Sequence, residues 1–117
     1  MLLDDVVAAI EASGIPCRRT VYVNVPSDAA FAVWGDAVVS SGAAERAVRH
    51  SHTSTILLAE RQGADGSAVG AVDAVLDAHI GGMSTEGWSR REREWDEESK
   101  VYTTEYTFRF VEKVRTA

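Results

Sequence analysis

The sequence predicts an α+β fold: one mostly antiparallel, mixed sheet with two helices on one face and a long C-terminal β-hairpin. Three observations predict it. Leu3, Val6, Val7 and Ile10, and again Val69, Val72, Leu76 and Ile80 (or Val75 for one of them), recur at helical spacing. In the last third, Tyr102, Thr104, Tyr106, Phe108 and Phe110 share one parity, while Val101, Thr103, Glu105, Thr107 and Arg109 share the other. Side chains alternate along a strand, so one face there is aromatic and the other polar. Finally, helical and strand patterns do not alternate regularly, which disfavours a parallel βαβ arrangement.

The first helix is expected over about 3–13. Asp4 and Asp5 stand in its first turn, where carboxylates suit the helix dipole. Gly14 can end it and Pro16 prevents continuation. Arg18 to Val23 is short, β-branched and aromatic, and reads as a strand that stops before Pro26. Ala29 to Asp36 is nearly all apolar and fits a strand buried on both sides, with a short helix as the competing reading because alanine is frequent. Val38 to Ala44, with Ser40, Ser41 and Gly42, reads as an exposed loop or turn.

Val48 to Glu60 is the longest central strand, polar at its start and apolar at its end, so it should project past the core before entering it. Residues 62–67 form a turn, in which Asp65 or Ser67 can cap a second helix over about 66–79. Gly81 and Gly82 end that helix. The terminal hairpin then pairs Trp88–Trp95 with Val101–Val111 across an acidic turn, Asp96-Glu97-Glu98-Ser99.

A chain of 117 residues is expected to be one domain with an independent core. The formal net charge of −6 argues against non-specific nucleic-acid binding and against docking on an anionic membrane. Cys17 is the single cysteine, which rules out an internal disulfide and suits a reducing compartment. The first residues lack a basic segment and a long apolar run, so no signal peptide is expected, and cytoplasmic folding is the default.

Little in the chain points to chemistry. His50 and His52 share a strand face and could offer two imidazoles to a metal, with His79 the remaining histidine. Solvated or hydrogen-bonded histidines are the simpler expectation. Cys17 precedes Arg18 and Arg19, but no histidine–carboxylate pair can be assigned to it. The carboxylates near Arg90, Arg91, Arg93 and Lys100 form a solvated charged ribbon rather than an acid–base pair. The glycines around Gly63 and Gly66 lack the phosphate-loop pattern. No catalytic residue, cofactor or metal is expected. Trp88 and Trp95 are seven residues apart, so a regular strand puts them on opposite faces, unless a bulge intervenes. Trp88 is the one expected to face outward as an interface anchor, with Arg90, Arg91, Arg93, Glu97, Glu98, His50 and His52 as its companions.

Several stretches together resemble a known group. They are Ala12-Ser13-Gly14-Ile15-Pro16 closing the first helix, then Ala29, Phe31, Val33 and Trp34, and His50-Ser51-His52-Thr53 running into Ile56-Leu57-Leu58-Ala59-Glu60. Leu76-Asp77-Ala78 and the Arg93–Lys113 hairpin follow. The chain is similar to small tail-completion or tail-terminator proteins of long-tailed, siphovirus-like bacteriophages and prophages, with Trp95–Lys113 carrying most of the likeness. The resemblance implies an α+β structural protein, not an enzyme. It implies a homo-oligomeric ring, typically of six subunits, that stops growth of the tail tube and meets a head–tail connector protein. The protein would sit at the head–tail interface of the virion, and in the host cytoplasm before assembly. Two alternatives stand beside this reading. One is a small ligand-binding protein or enzyme with a pocket between sheet and helices, in which His50, His52 and Glu105 would act. The other is a different connector piece, such as a stopper or adaptor.

Overall fold

The computed structural model describes residues 2–18, 29–44, 47–81 and 87–115, with side chains described outside 39–50 and 112–115. Seven elements run in the order α1 (Leu2–Ala12), β1 (Ala29–Ala44), β2 (Ala47–Arg61), α2 (Ser67–His79), β3 (Trp88–Arg90), β4 (Glu94–Asp96) and β5 (Val101–Arg115). The strands form one sheet in the order β1-β2-β5-β3, with β4 also on β5. Every ladder between these strands is antiparallel. The α+β expectation is met, with both helices on one face of the sheet.

The helices form where the apolar stripes lie. Leu3, Val6 and Ile10 point from α1 into the core, and Val72 and Leu76 point in from α2. Burying each such side chain contributes roughly 1.5–3 kcal/mol. α1 ends as the Ser13 hydroxyl donates to the Ile10 carbonyl (2.6 Å) and Gly14 takes a left-handed φ of 98°. Ile15 then drops into the core, and the Cys17 segment forms a parallel bridge to Phe31 on β1. The strand expected over Arg18–Val23 lies outside the described residues beyond Arg18. At α2 the cap is Gly66, with no side-chain capping bond. Asp65 Oδ1 instead accepts from the Ser67 amide at 2.9 Å, just outside the helix. Ser67 is the first helical residue, not the cap.

The core side of the sheet presents Phe31, Ile56, Leu58, Trp88, Tyr106 and Phe108 to the helices. A smaller cluster of Ala30, Ala32, Leu57, Ala59 and Val101 lies on the opposite face. The Tyr106 hydroxyl donates to the Val69 carbonyl of α2 at 3.2 Å, tying helix to sheet. Its burial, with Asp73 nearby, pushes the phenol pKa well above the ordinary tyrosine range.

Three expectations are corrected. Val38–Ala44 is not a loop: β1 continues through it, with Val38 opposite His52 and Ser41 opposite Arg49. Pairing to β2 overrides the weak strand preference of Ser, Ala and Gly. Burial on both sides holds for Ala29–Ala32 but not beyond, because Val33 and Trp34 are exposed. Trp34 shares the parity of Ala30 and Ala32, on the face away from the helices, and a bulge between Val33 and Gly35 leaves it without a partner on β2 and brings Asp36 onto the face of Ser54.

The third correction concerns Trp88. The segment 88–96 is two short strands rather than one, because Arg90 faces Tyr106 whereas Glu94 faces Thr103. Four residues on one side thus span three on the other. This extra residue puts Trp88 opposite Phe108 and Trp95 opposite Tyr102, on the same face of the sheet. Trp88 is only 3 % exposed, and its indole Nε1 donates to Asp77 Oδ1 at 2.8 Å. It is a core residue, not an outward anchor.

The helices cover only part of this sheet. Beyond Asp36, Ser54 and Phe108 the three long strands run on together, through His50 opposite both Ser40 and Glu112, as an arm. The molecule measures 54 × 25 × 23 Å as a result. The expected projection of β2 past the core is present.

Candidate functional site

Two features distinguish the surface: the root of the arm, and a groove on the sheet face opposite the helices. At the root, His52 and Ser54 occupy the helix-side parity of β2 and Asp36 lies across from Ser54 on β1. Ser54 Oγ donates to Asp36 Oδ1 at 2.7 Å, and His52 Nδ1 lies 3.2 Å from Asp36 Oδ2. The His52 ring, 4 % exposed, stacks on Phe110 with centroids 4.4 Å apart and an interplanar angle of 5°. Serine, histidine and aspartate meet here, but in the wrong order for nucleophilic catalysis. The hydroxyl donates its hydrogen bond to the carboxylate, whereas an activated serine must donate to the imidazole. The cluster instead fastens β1 to β2 where the arm leaves the helical layer.

The pocket trio His50, His52 and Glu105 is not assembled. Glu105 pairs with Leu57 on the open face, while His52 lies on the helix-side face. His50 sits in β2, and its side chain lies outside the described residues. Among the described residues, no three His, Cys, Asp or Glu groups come together to hold a metal. The Cys17 thiol is pushed up by burial first and by Glu11 second, which lowers its thiolate fraction at neutral pH.

The charged ribbon splits into two roles. Arg90 Nε reaches Asp73 on α2 at 3.1 Å. Arg93 is turned inward: its Nε lies 2.9 Å from Glu60 Oε1, its Nη2 donates to the Ala64 carbonyl at 3.0 Å, and its Cζ stands 3.8 Å above the Tyr102 ring centre. These arginines brace the sheet against α2 and the 61–66 turn. Arg91, Glu97 and Glu98 remain exposed. Glu97 accepts from the Trp95 indole and from Lys100, and these partners, Lys100 first, hold its carboxyl below the usual range. Asp96 folds back on the Ser99 and Glu98 amides and is likewise held low, chiefly by Ser99. The acidic turn is therefore a preformed, ionised cap on the hairpin. Lys100 has a left-handed φ of 59° there, and its amide closes the turn on the Asp96 carbonyl at 2.8 Å.

The groove lies beside this turn, with a volume of about 360 Å³. Leu57, Thr103 and Glu105 form its floor, Trp34 one wall, and the 91–97 segment the other. Trp34 is 57 % exposed. Glu92, Glu94, Asp96, Glu97 and Glu105 face a single cation, Arg91, so the groove is strongly negative. Sequence reasoning missed it because the apolar run Ala29–Asp36 reads as buried on both sides, which hides the open face on which Trp34 stands. A volume of this size with acidic walls and one exposed indole suits a cationic group better than an anion or an apolar ligand.

No protein-family model, curated protein or solved structure matches the chain. No helix among the described residues is long and apolar enough to cross a membrane.

Proposed function

We propose that this chain is a structural ring subunit that caps a phage-type tail tube, ends its growth and contributes to the head–tail joint. The observation that carries the reading is the arm: three long strands run on together past the part of the sheet that the two helices cover. A subunit of this shape can touch neighbours on two sides at once, as a closed heterologous ring requires. Strand edges supply directional main-chain contacts to a tube subunit or connector. The resemblance of Trp95–Lys113 to tail terminators points the same way. On this reading the partners are further copies of the chain, six in a typical ring, the tube protein and a head–tail connector. The protein would reside in the host cytoplasm until assembly and then at the head–tail interface.

The test is tube growth. Purified protein added to polymerising tube subunits of the phage or prophage that encodes it should yield short tubes with a ring at one end in negative-stain micrographs. Tubes that lengthen unchanged and carry no ring would overturn the proposal.

A further inference from the structure

Charge is divided unevenly along the molecule. The strand segments 36–44, 47–54 and 108–115, which make the arm, hold Arg49, Arg109, Lys113 and Arg115 against Asp36 and Glu112, a formal +2. The whole chain is −6, so the remainder carries −8. The cationic end is the projecting one, and the groove beside Trp34 is among the most acidic places on the body.

We propose that this groove receives a cationic side chain from the arm of a second copy, so that copies join arm to body. Three observations carry it. An indole left 57 % exposed beside carboxylates offers the quadrupole face and the negative charge that bind a guanidinium or ammonium together. The groove opens on the sheet face that the helices leave bare, where an extended strand can approach. The arm's cations stand away from the groove of their own molecule: along β5, Arg109 is four residues from Glu105 and Lys113 eight, roughly 13 Å and 26 Å at ~3.3 Å per residue. Such a contact is heterologous, because the arm and the groove are different surfaces. It can therefore close into a ring, and it deepens the ring reading above, on which it rests.

Sedimentation velocity on the full chain at low and high salt tests the contact, with two variants. The groove variant is Trp34→Ala with Glu94→Lys, and the arm variant is Arg109→Glu with Lys113→Glu. Trp34, Glu94 and Arg109 are exposed, and circular dichroism confirms that each variant stays folded. Wild type should self-associate at low salt and dissociate as salt rises. Each variant alone should associate roughly tenfold or more weakly. Their equimolar mixture should form dimers and stop there, because each pair retains one intact arm and one intact groove. A groove variant that assembles like wild type overturns the contact, and if both form rings the ring reading survives it. A mixture that stays monomeric also overturns it. So does a wild type that stays monomeric yet binds an arginine-rich peptide with a change in tryptophan fluorescence, which would assign the groove to a foreign cation. Tube capping then decides the ring reading on its own.

Discussion

Arg93 and Glu60 form an ion pair across the sheet at 2.9 Å, with the carboxylate 1 % exposed. The carboxylate has left water, and Arg93 is the cation the structure sets against it. Removing Arg93 alone should therefore cost about 3–5 kcal/mol, the usual consequence of stranding a buried charge. Replacing both residues by apolar ones of similar volume should recover most of that loss. Urea denaturation of R93M, E60L and the double variant measures both. Charge reversal at Arg93 thus probes folding, whereas reversal at the exposed Arg91 leaves this buried pair intact.

Trp88 fills the core between Tyr106 and α2, with ring centroids 6.1 Å apart to the tyrosine. Trp88→Ala should lower stability by about 3–5 kcal/mol. Trp88→Phe should cost less, as most of the buried area survives and Asp77, exposed at the helix surface, can turn to water. Thermal unfolding of the two variants should rank them in that order.

Tyr106 has a folded-state pKa raised by burial above its unfolded value. Its contribution is present below the unfolded pKa, near 10, and falls as pH rises above it, because only the unfolded chain releases the proton. Stability should then decline by up to about 1.4 kcal/mol per pH unit from this group. Absorbance at tyrosinate wavelengths should show one phenol ionising together with loss of near-ultraviolet dichroism. In Tyr106→Phe that coupled step should vanish.

The Asp36 carboxylate holds the Ser54 hydroxyl, which is fully buried, and approaches the His52 ring. Asp36→Ala should cost about 1–3 kcal/mol by leaving a buried hydroxyl without its acceptor. The loss should be local. Hydrogen exchange should quicken in residues 36–54 of β1 and β2 while α1 and α2 keep their protection.

Much of the fold was legible because it rests on periodicity. The helical stripes of Leu3, Val6 and Ile10 and of Val72 and Leu76 fixed α1 and α2, and the aromatic parity of β5 fixed its buried face. What escaped depends on single-residue offsets. One unpaired residue at Trp34 brings Asp36 onto the face of Ser54, one extra residue between Arg90 and Glu94 puts Trp88 and Trp95 on the same face, and composition carries no trace of either. Val38–Ala44 escaped for another reason: its small residues are strand only because β2 supplies the partners. The groove inherits the second offset, since the 91–97 segment forms one of its walls.

The position of β5 has a consequence for how the chain reaches its native state. It follows every other element in sequence, yet it lies inside the sheet, paired along its length to β2 and on its other side to β3 and β4. The β1–β2 hairpin closes locally, but β2 meets β5 only across spans of about 40 to 68 residues. Such non-local pairing pays its loop-closure entropy before it is rewarded, so the rate-limiting barrier belongs to the docking of β5. Until then β2 keeps one bare edge and the helices have half a floor, and folding is a single late event rather than a stepwise one.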